Sequence, residues 1–121
     1  MSRILIIEDE DTLGDALSSL LQDEGHETFL AMNGQEGLKL LEEKQPHLLI
    51  VDLMLPILDG PELLERRSEA TRGVPVVVIS SASRKLVEHQ PVTAFLEKPF
   101  SLESLLSVVE RALGTGVPSP A

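Results

Sequence analysis

Five side chains in this sequence could share one chemistry: Glu8, Asp9, Asp52, Ser80 and Lys98. Carboxylates crowded into one cleft repel each other unless a cation sits among them. Oxygen donors without Cys or His select a hard ion, most simply Mg²⁺, which keeps several waters and accepts phosphate oxygens as further ligands. A carboxylate can itself attack phosphorus and form an aspartyl phosphate. Such a transfer is mostly positioning and charge neutralisation. Mg²⁺ would cover part of the phosphoryl oxygens, Lys98 another, and the Ser80 hydroxyl could donate to a third. The inventory is complete for accepting a phosphoryl group on Asp52.

Each of these residues ends or follows a short apolar run. Ile4-Leu5-Ile6-Ile7 runs into Glu8-Asp9, Leu48-Leu49-Ile50-Val51 into Asp52, and Val76-Val77-Val78-Ile79 into Ser80, while Ala94-Phe95-Leu96 leads to Glu97-Lys98-Pro99. Runs of this kind read as strands buried on both faces of a parallel sheet. Their last residues would meet at the sheet's carboxyl edge, where open α/β sheets bind ligands.

Helical patterns separate the runs. Leu13, Ala16, Leu17, Leu20 and Leu21 form one apolar stripe, and Gly25 is placed to stop that helix. Glu27 to Ala31 reads as a weaker second strand, and Asn33 to Glu36 resembles a capping box that opens a second helix. Residues 53–60 form a loop, unusually apolar, punctuated by Pro56 and Asp59-Gly60. Pro61 opens a third helix expected to reach Ala70, with Arg66 and Arg67 on its surface. Residues 81–90 leave room for about two helical turns. Ser101 caps a last helix carrying Leu102, Leu105, Leu106, Val109 and Leu113. A domain is expected over 1–114, with 115–121 a tail or linker.

This alternation implies an α/β fold: a doubly wound five-stranded parallel sheet with helices on both faces. Strand order 2-1-3-4-5 would put the first and third strands together at the switch point, where Glu8, Asp9 and Asp52 converge. Net charge is −10, from 20 acids against 10 bases, so nucleic acid phosphates would repel the chain. There is no cysteine, which removes disulfides and thiol chemistry and fits a cytoplasmic location. The first apolar run is too short for a signal-peptide core or a membrane span. His26, His47 and His89 match no metal or triad spacing.

Four motifs, in order and spacing, resemble the receiver domain of two-component response regulators: Ile-Leu-Ile-Ile-Glu8-Asp9, Asp52-Leu-Met-Leu-Pro56-Ile-Leu-Asp59-Gly60, Pro75-Val-Val-Val-Ile-Ser80 and Phe95-Leu-Glu-Lys98-Pro99-Phe100. The resemblance covers about Arg3 to Leu113 and implies a flavodoxin-like fold. It implies that Glu8 and Asp9 hold Mg²⁺ together with Asp52 and the backbone carbonyl of Met54. It implies that Asp52 takes the phosphoryl group from a sensor histidine kinase or phosphotransfer protein, and that Lys98 pairs with that group. Ser80 and Phe95 match the family's switch pair, and the Lys98–Pro99 peptide bond is expected to be cis. The resemblance implies a cytoplasmic signalling switch, monomeric or weakly dimeric, rather than an enzyme.

One departure stands out. The stretch from Ser80 to Lys98 is several residues shorter than the family carries, so the fourth helix is shortened. A second reading follows from that: a receiver-like binding module that works without phosphate. A third, an aspartate-nucleophile phosphohydrolase, meets Met54 where the second acid should be. Because Met54 and Ala82 cannot strongly orient water, self-dephosphorylation is expected to be slow.

Overall fold

A computed structural model describes residues 2–114; the expected tail at 115–121 lies outside the described residues. Five strands alternate with four α-helices: β1 Arg3–Ile7, α1 Asp11–Asp23, β2 Glu27–Ala31, α2 Gly34–Lys44, β3 Leu48–Asp52, α3 Gly60–Arg66, β4 Val76–Ser80, β5 Ala94–Glu97 and α4 Leu102–Ala112. The strands form one parallel sheet in the order β2-β1-β3-β4-β5. This is the expected doubly wound architecture, with β1 and β3 adjacent.

The alternation of side chains along each strand supplies two cores. Leu5, Ile7, Leu49, Val51, Val76 and Val78 face one way and pack with Leu41 of α2 and Leu63 and Leu64 of α3. Ile4, Ile6, Leu48, Ile50, Val77 and Ile79 face the other way and pack with Leu17 and Leu21 of α1 and Leu105 and Val109 of α4. Burial on both faces explains why β1, β3 and β4 read as unbroken apolar runs.

Local signals set the helix ends. The Asn33 side chain accepts the Glu36 N–H at 2.8 Å, and Glu36 accepts the Met32 N–H at 3.0 Å. Asp59 and Ser101 cap α3 and α4 in the same way. Gly25 takes φ +92° just past α1, a conformation that excludes most side chains. Gly34, at the start of α2, admits the Leu58 backbone so closely that any Cβ would overlap the Leu58 carbonyl.

Two segments differ from expectation. The third helix stops at Arg66 rather than reaching Ala70, and a short 3-10 turn follows at Glu69–Thr71. Arg67 is not on the surface but 2% exposed, its guanidinium donating to the carbonyls of Thr71 and Val74. Glu42 of α2 accepts from the Ser68 N–H and hydroxyl, which holds the backbone away from a helical path and keeps the Glu42 carboxyl below its usual range. The crossover between β4 and β5 carries only a 3-10 turn, Arg84–Val87, instead of two α-helical turns. Ser83 caps it by accepting the Lys85 N–H, and the bonds Leu86 N–H to Ser83 and Glu88 N–H to Lys85 span three residues. Val87 is its buried anchor.

Candidate functional site

The site lies where β1 and β3 end side by side. Glu8 directly follows β1, and Asp52 is the last residue of β3. Both are buried, at 1% and 4% exposure, whereas Asp9 is exposed. One carboxylate oxygen from each of Glu8, Asp9 and Asp52 can lie within 4.8 Å of the others. The Glu10 N–H donates to Glu8 Oε2 at 3.0 Å, and the Met54 N–H donates to Asp52 Oδ1 at 3.0 Å. Each buried acid is thus held by the turn that follows its own strand.

Lys98, just beyond β5, reaches across β4 to this pair. Its Nζ donates to Asp52 Oδ2 at 2.7 Å and to Glu8 Oε1 at 2.9 Å. The two ion pairs are largely removed from solvent, so the lysine compensates charges that water barely reaches. Burial pushes the Glu8 carboxyl above the usual range, aided by the nearby Asp52 charge and opposed by the Lys98 and Glu10 hydrogen bonds. Burial pulls the other way on Lys98, but the hydrogen bonds it donates to Asp52 and Glu8 outweigh it and leave its ammonium more strongly held than usual. The Lys98–Pro99 peptide bond is cis.

The donor set fits a hard divalent cation: three carboxylates and no softer ligand. The arrangement combines a buried carboxylate beside an ammonium with an exposed acid at the rim.

The sequence profile of the response regulator receiver domain matches residues 4–110. The chain belongs to the response regulator receiver family. It is 40% identical over 81 residues to the transcriptional regulatory protein AfsQ1 of Streptomyces coelicolor, covering 67% of this chain and 36% of that one. It is 27% identical to protein PilH of Pseudomonas aeruginosa, covering 93% and 98% of the two chains. A CheY-like receiver domain protein from Methanospirillum hungatei superposes with a TM-score of 0.89 at 28% identity, over 95% of each chain. This receiver spans about half or less of the length of the transcriptional regulators it matches, from 25% of AtoC to 52% of PcoR, both from Escherichia coli.

Of the remaining expected residues, Ser80 and Met54 lie along the same edge, whereas Phe95 sits inside β5, short of it. Ser80 ends β4, fully buried, and its hydroxyl accepts the Ala82 N–H at 3.0 Å. Phe95 sits half-buried in β5, paired in register with Val78. Met54, two residues after Asp52, is 61% exposed.

Two contacts were not foreseen. The Arg84 guanidinium lies over the Phe95 ring, 5.3 Å from its centroid. Leu86 lines a hollow together with Asp9, Met54 and Pro56. Both residues belong to the shortened crossover, whose conformation carried no periodic signal. Lys98 was expected to face a phosphoryl oxygen; its bridging of both buried acids depends on reach across two strands, which spacing along the chain does not encode.

Proposed function

We propose that this receiver is a phosphorylation switch that accepts a phosphoryl group on Asp52, with Glu8, Asp9 and Asp52 holding Mg²⁺ and the backbone carbonyl of Met54 as a further ligand. The observation that carries this is the convergence of three carboxylates within 4.8 Å with Lys98 at 2.7 Å from Asp52. Bound there, Mg²⁺ would supply charge neutralisation for the acids and for the phosphoryl oxygens. Asp52 supplies the attacking carboxylate oxygen. Its bond to phosphorus forms as the bond from phosphorus to the donor breaks, and the donor's histidine nitrogen leaves with the electron pair and takes up a proton. Lys98 keeps the adduct's charge compensated, since it already touches the oxygen-bearing side chain it must serve. The Ser80 hydroxyl then gives up its bond with Ala82 to reach the phosphoryl group, and Phe95 follows as the switch.

A sensor histidine kinase or phosphotransfer protein is the donor in this reading, in the cytoplasm, with the receiver monomeric or weakly dimeric. Among the described residues no helix is long and apolar enough to cross a membrane. The test is incubation with acetyl phosphate and Mg²⁺ followed by intact-mass measurement. Wild type should gain one phosphoryl group and Asp52→Asn none. A wild type that neither gains mass nor binds Mg²⁺ overturns the reading.

The short Arg84–Val87 turn favours one alternative, a receiver-like module that binds its partner without phosphate. There, beryllofluoride would leave partner affinity unchanged, and so would Asp52→Asn.

A further inference from the structure

The loop after β3 breaks two rules that surface loops usually keep. Residues 53–58, Leu-Met-Leu-Pro-Ile-Leu, carry no charge in a chain whose net charge is −10. Ile57 is β-branched and sits at φ +70°, in the left-handed region that such side chains avoid. It is also 74% exposed, so packing of its own side chain does not repay the strain. The backbone around it is held firmly instead. The Leu58 N–H donates to the Pro56 carbonyl at 2.7 Å, the Gly60 N–H to the Leu53 carbonyl at 3.0 Å, and the Gly34 N–H to the Pro56 carbonyl at 3.4 Å. Strain kept in an exposed, braced residue points to a use for its side chain. Five large apolar side chains are exposed among the described residues, and four of them gather around this loop. Met54 and Ile57 stand on it, Met32 stands two residues before Gly34, and Leu86 shares a hollow with it. That hollow measures about 420 Å³, and the exposed acids Asp9 and Asp59 join its apolar lining.

We propose that this apolar rim is a docking surface for a partner helix whose large apolar side chains are flanked by lysines or arginines. The charge pattern selects that occupant. Apolar side chains of the helix would cover Met54, Pro56, Ile57 and Leu86, and cations on either side of them would meet Asp9 and Asp59. Arg84, two residues before Leu86, lies over the Phe95 ring and not in the hollow, so it leaves that acidic rim open. An acidic helix would be repelled, and a second copy of this chain, at net charge −10, would be repelled as well. Bracing adds to the fit, because a surface already held in its bound shape loses little conformational freedom when a partner arrives. Helix-in-groove recognition of this kind takes its anchors from one face of the helix. The surface needs no phosphoryl group on Asp52, so it stands or falls apart from the switch reading.

The test titrates the full, isotope-labelled chain with three synthetic peptides and follows NMR chemical shifts. Each peptide has about 14 residues, near the length at which an isolated helix forms. The first is built of leucine and lysine with its leucines on one helical face. The second has the same composition in an order that breaks the face, and the third carries glutamate in place of lysine. The first should bind, with shifts concentrated at residues 32–34, 53–59 and 86, and the other two should bind about tenfold more weakly or not at all. Ile57→Gly suits the left-handed backbone and so should stay folded. It should weaken the first peptide about tenfold, the scale of one interface anchor lost. Leu86→Ser, on the same titration, covers the case in which the glycine variant loosens the loop, and it too should weaken binding. Equal binding of the first two peptides overturns the proposal, as do shifts that fall elsewhere or variants that bind as wild type does. Self-association through the same residues, seen by sedimentation without peptide, would give the surface to a second copy and overturn it as well.

Discussion

The two halves of the sheet's carboxyl edge are built to different standards. Where β1 and β3 end, Glu8 and Asp52 are buried, each bonded to an amide of its own following turn and both bonded to Lys98. Where β4 and β5 end, one 3-10 turn stands in for a helix, β5 is only half-buried, and Arg84 and Leu86 are exposed. The first half is tied together by Lys98, whose removal would leave two buried acids without their ionic partner. The second half is held by a single buried anchor, Val87. Under the proposed function, the groups that hold the phosphoryl site sit in the stiff half, and the crossover beside the proposed switch pair is the lightly held one. Segments that open locally have few buried apolar contacts, and the 81–93 crossover meets that description.

The sharpest way to break this comparison is Lys98→Met. Removing one partner of a buried ion pair typically costs about 3–5 kcal/mol, and here two acids lose their partner together. The loss should appear in urea unfolding at neutral pH. Its pH dependence has a definite sign. Glu8 already titrates above the usual carboxyl range, and without Lys98 it moves higher, so the folded variant binds a proton the unfolded chain has lost. The variant should therefore be more stable at pH 5 than at pH 7. In the wild type the Lys98 contribution persists through neutral pH and disappears only in alkali, as pH rises through its raised value. A Lys98→Met protein as stable as wild type at pH 7 would show that the acids are not dependent on the lysine.

Val87→Ala probes the other half. Trimming a buried valine costs about 1.5 kcal/mol. Hydrogen exchange should show the effect concentrated in amides of residues 84–90, with β1 and β3 unchanged. A protection loss spread evenly over the sheet would erase the contrast between the two halves. The smallest expected effect belongs to Arg84→Ala. An exposed cation–π contact contributes about 0.5–1 kcal/mol, so thermal stability should drop only slightly. The Phe95 ring should become more mobile, visible as faster ring averaging in NMR spectra. An unchanged ring signal would mean the contact at 5.3 Å is incidental.

The central strands and the stiff half could be read from the residues. Strands buried on both faces must be apolar throughout, so β1, β3 and β4 announced themselves, and the acids after them fell at the edge by topology. Capping side chains marked α2 and α4 because each satisfies amides that the helix cannot, and Pro61 marked the start of α3. The 81–93 crossover was legible only as a shortage of residues. A 3-10 turn has no apolar period to detect, and Leu86 shares a hollow with Met54 only because the fold brings the two segments near each other. Arg67 misled for a related reason: a second arginine beside Arg66 looks like surface until the chain leaves the helix and turns it inward to the Val74 carbonyl.

The contact between Gly34 and the Leu58 carbonyl has a consequence for the chemistry. The 53–59 loop, which starts immediately after Asp52, is braced from outside by a helix that supplies none of the reactive groups. Its turn at Ile57, a β-branched residue at φ +70°, is closed by the Leu58 N–H bonding to Pro56 at 2.7 Å. A single methyl added at position 34 would act as a wedge, driving that loop off α2 and dragging the Met54 amide from Asp52. Cation affinity would then respond to a residue that no inventory of ligands contains.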